Sequence, residues 1–579
     1  MASPPYAAAP PPPALGGLRA LMLLQLSTRA VSVLLAQFLV RIAPPAVFAA
    51  AHIHLDLLLS TLLFLAREGV RGALLRAPED ATAAEASAKS DGKSTAASAA
   101  QHVAQRERAR QNVALLPLVL GAAMLLPAFP LYARLAPASL RELASFRSAL
   151  ALYLLGAALE LLAEPLHTRA LSRASDTGNG MALRVRAEGA AVLSRCAATA
   201  VTLYVAVRRL RIGEADAALL AFACGQAAYG GGTLGVYLVY FLRAWGPRQV
   251  AALFTPSRVP LSMPGVELAS SQPAADSALL DKHAFALAAT MTRQSFLKHL
   301  LTEADRIAVA RLATLDNQGA YALAGNYGSL FARLLFQPVE ESARLVFARS
   351  QSSTGEASQS ALSLLRPLLS LYIILSLFLA AFAPFFAMPA LLLVAGPRWA
   401  LSTAAPQLLA CYAALYLPVL ALNGVLEAYL QASASPQTLK RYDGILVLAS
   451  GAFVGALVLG PQLGLTRGGI DLIVASTLSS GVRALFGAYY AFRAAPAGPS
   501  VWPRLSTLVL FAHAPVLFAW TSSRVRAIPL ALGVRALARR DVAQHLACGV
   551  AGAAVLLAVC YLQEGPKLRL ALAAIRGSS

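Results

Sequence analysis

Charge is scarce in this chain. Asp, Glu, Lys and Arg make up 13% of its 579 residues, hydrophobic residues make up 58%, and the mean hydropathy is +0.61. Soluble domains carry about 25% charged residues, so a water-soluble globule is excluded. Acidic residues are the scarcer sign: 28 against 49 basic ones, a formal net charge of +21. Lys is rare beside Arg while Ala is abundant, a pattern of GC-rich codons, so the size of that charge says less than it suggests. Basic runs interleaved with aromatics on a soluble module are absent, which excludes a nucleic-acid reader. Basic cytosolic loops explain the excess as well as a cationic cavity does. Cysteine is sparse too. Cys196, Cys224, Cys411, Cys548 and Cys560 lie far apart in apolar segments without a CxxC pair, so no disulfide framework or metal site is expected. The start "MASPPYAAAPPPPALGG" has neither a basic n-region nor a cleavage pattern and reads as a disordered Pro/Ala leader, residues 1–16.

What remains is apolar sequence in runs long enough to cross a bilayer. Their number predicts an all-α polytopic membrane protein with about fourteen transmembrane helices. Two polar insertions interrupt them. Residues 77–110 are low-complexity and charged, and read as a loop within an N-terminal lobe at 17–242. Residues 243–283 are Pro/Ser-rich and read as a cytosolic linker to a C-terminal lobe at 284–492, with two extra helices in 493–579. Basic residues concentrate after even-numbered helices and at the C-terminus, which places both termini in the cytosol. The arginines at 523–544 argue the other way.

Three tempting motifs fail. "DGKSTA" at 91–96 resembles the end of a phosphate-binding loop, but its leading glycine is replaced by Ser87 and no strand precedes it. Glu164 and His167 form a Glu-x-x-His pair with Glu160 one turn earlier, yet no second copy exists to complete a di-iron bundle. A polar helix end at Pro165 is the expected explanation. A membrane glycosyltransferase would carry paired acids in an early lumenal loop, where only isolated acids such as Glu142 occur. No cofactor or metal is expected.

Polar residues at helical spacing inside apolar segments carry more information. Gln25, Arg29 and Ser32 share one face, as do Gln294, Lys298, Thr302 and Asp305. Asn326, Arg333, Gln337, Glu340 or Glu341, and Arg344 form a third stripe; Asn423, Glu427 and Gln431 form a fourth. Ionised side chains facing lipid are costly. Either the stripes knit helices together, or they line a hydrated cavity between two lobes; four stripes on four helices favour the cavity. Guanidinium groups there would grip phosphate while Gln, Asn and Glu bind hydroxyls. In "LLLSTLLFLAREGVRG" at 57–72, Arg67 and Arg71 lie one turn apart, either at the mouth of that cavity or merely as a stop signal.

Six blocks, "LLLSTLLFLAREGVRG", "LLAEPLH", "QSFLKHLLTEADR", "YGSLFARLLFQPVEES", "LNGVLE" and "KRYD", resemble the Rft family of endoplasmic-reticulum oligosaccharide-lipid translocation proteins. That family belongs to the MATE-like multidrug/oligosaccharidyl-lipid/polysaccharide exporter superfamily. The resemblance implies two six-helix lobes around a central cavity plus two C-terminal helices. It implies transfer of dolichyl-diphosphate-linked heptasaccharide to the lumenal leaflet for N-glycosylation, without enzymatic chemistry. By matching blocks, the family's charged positions fall on Arg29, Arg67, Glu68, Glu164, Lys298, Glu303, Arg306, Arg333, Glu340, Glu341 and Glu427. The expected fit is a glycolipid transporter whose lobes rock about a midplane cavity. A non-transporting scaffold and a cation-coupled exporter are the rivals.

Overall fold

The computed structural model describes residues 39–76, 107–171, 180–258, 279–332, 357–460, 469–494, 500–523 and 539–577, together with Gln37, Phe336, Val339, Glu340, Ala343, Phe347, Gln462, Val525 and Arg535. These residues are mostly helical, joined by short turns and irregular segments, without a strand among them. Ten helices among them are long and apolar enough to cross a membrane. Most of the expected first helix, and residues 77–106 of the 77–110 insertion, lie outside the described residues; residues 107–110, read as part of that loop, are helical. Glu214–Trp245 and Lys282–Thr302 form helices where spans were expected but do not belong to those ten.

The chain divides into two compact units, residues 1–43 with 54–303 and residues 44–53 with 304–579. The first unit contains α1 (Asp56–Arg76), α2 (Leu116–Leu135), α3 (Phe146–Leu171), α4 (Gly180–Tyr204), α5 (Glu214–Trp245) and α6 (Lys282–Thr302). The helix ends follow ordinary rules: the Asp281 side chain accepts from the His283 and Ala284 amides to cap α6. Pro127 and Pro130 sit inside α2, as membrane helices tolerate.

Small residues set the packing of this unit. A Cβ on Gly156 of α3 would lie 2.8 Å from the Gln226 carbonyl oxygen, and one on Gly230 of α5 would overlap the Gly156 carbonyl. The two backbones therefore touch, the packing that small residues permit where no hydrophobic effect drives helices together. The same device joins α1 to α6. A Cβ on Gly69 would overlap the backbone and hydroxyl of Thr292, and one on Gly72 would come within 2.7 Å of Met291 Cε. Thr61 Oγ1 and His299 Nε2 meet at 2.9 Å on that face, and Phe64 stacks on the imidazole. Lys282–Thr302 therefore packs with the first unit, which runs to residue 303.

Enclosure is uneven. In Pro45–Leu74 and Phe146–Leu171, 61% and 67% of the apolar window is buried, against a third or less in the other eight candidate spans. These two helices carry Arg67, Arg71, Glu160 and Glu164. Elsewhere large apolar side chains such as Leu126, Val447 and Val550 stay exposed, as lipid-facing surfaces require.

The second unit contains α7 (Ala304–Leu312), α8 (Leu315–Phe331), α9 (Ala357–Val394), α10 (Leu417–Ser433), α11 (Pro436–Leu459), α12 (Ile470–Ala494), α13 (Leu505–Ser523) and α14 (Arg540–Gly577). Its core joins Phe336, Phe347, Leu368, Tyr372, Val425 and Tyr429. Ser435 caps α11 ahead of Pro436 at the first helical position. Glu564 of α14 accepts from the Arg504 amide at 2.6 Å and pairs with Lys567 at 3.1 Å, tying the start of α13 to α14.

Candidate functional site

The first unit holds a buried ionic network built from four helices. Arg67 and Arg71 are four residues apart on α1 and so share a face, while Gly69 and Gly72 occupy the face against α6. Opposite them, α3 presents Glu160 and Glu164, 7% and 3% exposed. Arg67 Nη1 donates to Glu160 Oε2 at 3.1 Å and to Glu164 Oε1 at 3.4 Å. Arg71 grips Glu164 with two donors, Nε to Oε2 at 3.3 Å and Nη2 to Oε1. That two-pronged geometry is the strong form of the guanidinium–carboxylate bond.

The network continues outward. Gln226 of α5, also buried, donates through Nε2 to Glu160 Oε1 at 3.1 Å, and its Oε1 accepts from Arg195 Nη2 of α4. The Arg195 guanidinium lies 4.3 Å over the Tyr229 ring, a cation–π contact. Further along α3, His167 Nδ1 lies 2.8 Å from Tyr237 Oη. Two guanidinium groups thus share two carboxylates, a third joins the network through Gln226, and about a quarter of each of the Arg67 and Arg71 side chains stays accessible. Such a lattice has donors and positive charge to spare for an anion.

The second unit holds a different site. Ala332, Phe336, Glu340, Leu420, Asn423, Gly424, Glu427 and Arg483 line a cavity of about 290 Å³. Asn423 Nδ2 donates to Glu427 Oε2 at 3.2 Å, and Gln431 Nε2 donates to Glu427 Oε1 at 2.9 Å. The spacing of four residues on α10 produces this chain of bonds. The Glu340 carboxylate presses against Gly424, where a Cβ would collide with it. Arg483 Nη2 donates to Ser480 at 3.0 Å.

The expected site residues distribute as follows. Arg67 and Arg71 come together with Glu160 and Glu164. Glu340, Asn423 and Glu427 come together around the cavity. Arg306 lies half-buried on α7 and is not among the residues lining the cavity. Arg29, Arg333, Gln337 and Glu341, and the side chain of Lys298, lie outside the described residues. One expectation is corrected: Glu164 and His167 do not mark a helix end, because α3 runs unbroken through Pro165 to Leu171. Nor does α1 stop at Arg67, since it continues to Arg76. Sequence reasoning missed Glu160 as a partner of Arg67, and missed Arg195, Gln226 and Arg483. The spacing of Glu160, Glu164 and His167 along one apolar helix was the available signal for the first.

Comparison with known proteins agrees with this architecture. The profile of the Rft protein family matches residues 14–573. The Man(5)GlcNAc(2)-PP-dolichol translocation protein RFT1 of Yarrowia lipolytica is 31% identical over 455 residues, covering 75% of this chain and 64% of that protein. Its namesake in Schizosaccharomyces pombe is 29% identical over 441 residues, covering 76% and 75%. The one in Mus musculus is 33% identical over 288 residues, covering 48% and 51%. The matches thus span from about half to three quarters of these relatives' own length. Among solved structures, the lipid II flippase MurJ in an inward closed conformation superposes with a TM-score of 0.51 over 94% of this chain and 98% of that one. At 11% identity the likeness is one of fold.

Proposed function

The chain belongs to the Rft protein family, and from that premise we propose that it carries a dolichyl-diphosphate-linked oligosaccharide from the cytosolic to the lumenal leaflet of the endoplasmic-reticulum membrane. The relatives' name supplies the cargo. The observation that supports the reading in this chain is the first unit's network, in which Arg67 and Arg71 share two buried carboxylates and Arg195 joins them through Gln226.

The physical problem is the headgroup. A polyprenyl tail is at home in hydrocarbon, whereas a diphosphate and its sugars lose their hydration there at great cost unless polar groups replace the water. Arginine is the suitable replacement, since its planar fork matches phosphate oxygens and keeps its charge at any working pH. In this reading Glu160 and Glu164 hold the Arg67 and Arg71 forks in place while the site is empty. A diphosphate then competes with the carboxylates for the guanidinium donors, so the arginines arrive already ordered and little side-chain entropy is lost on binding. The protein forms and breaks no covalent bond. Residence in the endoplasmic reticulum as a multi-pass protein with both termini cytosolic belongs to the same proposal, and accessibility of terminal epitope tags in sealed microsomes tests it.

The proposal is tested with purified chain in liposomes containing labelled lipid-linked oligosaccharide and no other protein. Movement of label between leaflets supports it. Binding of the glycolipid without movement replaces it with a scaffold that only holds the lipid.

A further inference from the structure

The cavity of the second unit is not explained by a phosphate site. Two carboxylates, Glu340 and Glu427, line it and would repel an anion. Arg483 lines it too and opposes a bare cation. The unsatisfied atoms sharpen the choice. Asn423, 4% exposed, has a buried Oδ1 without a hydrogen-bond partner, an acceptor waiting for a donor. Arg483 has a buried Nε without a partner, a donor waiting for an acceptor. Buried polar atoms in this state cost stability unless something fills the space. A metal ion would satisfy only the first atom and a phosphate only the second. A hydroxyl group donates and accepts, so the hydroxyls of a sugar ring offer both kinds of partner.

The remaining lining agrees. Ala332, Phe336 and Leu420 give the cavity an apolar side that suits the C–H face of a sugar ring. Glu427 is held by two amides, Asn423 and Gln431, so its free lone pairs are fixed in direction before any ligand arrives. The volume of about 290 Å³ falls at the bottom of the range for small-molecule pockets, roughly 300–1,000 Å³. It is room for one ring.

We propose that this cavity, built on Glu340, Asn423, Glu427 and Arg483, is a carbohydrate subsite that binds a single uncharged sugar ring by its hydroxyls. This rests on the reading of a glycolipid as cargo, and it separates the recognition of sugar from that of diphosphate. The two are carried by different residues in different units.

Two probes distinguish them on the full-length purified chain: the mannose-rich glycan freed of lipid and diphosphate, and inorganic pyrophosphate, each measured by equilibrium dialysis. Two variants perturb the cavity. Gly424→Ala places a methyl where the Glu340 carboxylate sits, and alanine favours the helix over glycine, so folding is retained. Glu427→Gln keeps the shape and removes the charge. The subsite predicts glycan binding by the wild type, weakened tenfold or more in both variants, with pyrophosphate binding unchanged in either. Glycan binding that neither variant alters overturns it. So does a wild type that holds pyrophosphate but no glycan, the result for a cavity that only stores water, and in that case the diphosphate reading stands. A wild type that binds glycan with the predicted sensitivity but no pyrophosphate supports the subsite and overturns the diphosphate reading alone. Competition by sodium chloride at constant ionic strength that abolishes glycan binding assigns the cavity to a cation and overturns the subsite.

Discussion

Replacing Glu164 with Gln tests the ionic network where it is most concentrated. The carboxylate is 3% exposed and joins both Arg67 and Arg71. Removing one partner of a fully buried pair costs about 3–5 kcal/mol, because the other charge is left uncompensated. Here the stranded guanidinium is Arg71, since Arg67 keeps Glu160 at 3.1 Å. Arg71 is about a quarter accessible, and water can solvate it in part. The expected loss is therefore smaller, about 2 kcal/mol. Thermal unfolding in a fixed detergent, followed by tryptophan fluorescence, measures it for Glu164→Gln, Arg71→Met and the double variant. If the pair is a unit, the double variant is no worse than the poorer single one, and the coupling exceeds about 1 kcal/mol. Losses that add to within about 0.5 kcal/mol would refute the idea that these two groups support each other. The same substitution has a second, opposite consequence. With one carboxylate fewer, a diphosphate has less competition for the arginines, so pyrophosphate should bind more tightly to Glu164→Gln than to the wild type even though the protein is less stable.

Arg67→Lys should retain part of the translocation and Arg67→Ala should lose it with protein abundance unchanged, because lysine keeps the charge without the fork; loss of Arg67→Ala protein from the membrane would make the residue structural. Gly69→Ala should destabilise by about 1–3 kcal/mol through overpacking against Thr292, whereas Gly451→Ala, where an added Cβ meets nothing within 4 Å, should be neutral or stabilise by up to about 1 kcal/mol; equal thermal shifts would contradict the α1–α6 contact. Glu564→Gln should lower thermal stability by about 1–3 kcal/mol through its buried bonds to the Arg504 amide and Lys567, with translocation per folded molecule unchanged; a selective transport defect would give α13 and α14 a direct role.

Much of this was legible in the sequence, for reasons that can be named. Runs of apolar residues mark helices because the bilayer tolerates almost nothing else. Arg67 with Arg71, and Asn423 with Glu427 and Gln431, could be grouped because helical spacing alone puts them on one face. What could not be read is whatever depends on a second helix. Gly69 and Gly72 look like punctuation until Thr292 and Met291 are placed against them. Gln226 is a lone amide in a glycine-rich helix, and Arg483 a lone cation among small residues; neither has a periodic partner of its own. Their meaning comes from Glu160, 66 positions away in the chain from Gln226, and from the lining of the second unit's cavity. The Glu160–Glu164–His167 stripe is visible in the sequence, but Pro165 within it reads as a helix end, whereas the helix continues through it to Leu171.

Leaflet translocation in liposomes holding this chain alone, compared between wild type and Arg67→Ala at equal protein density, is the most direct test of the central claim. The account predicts that wild type moves the labelled diphosphate-linked oligosaccharide lipid and that the variant, folded and present, does not. Equal rates in the two preparations, or no movement by the wild type while it binds the lipid, would contradict it.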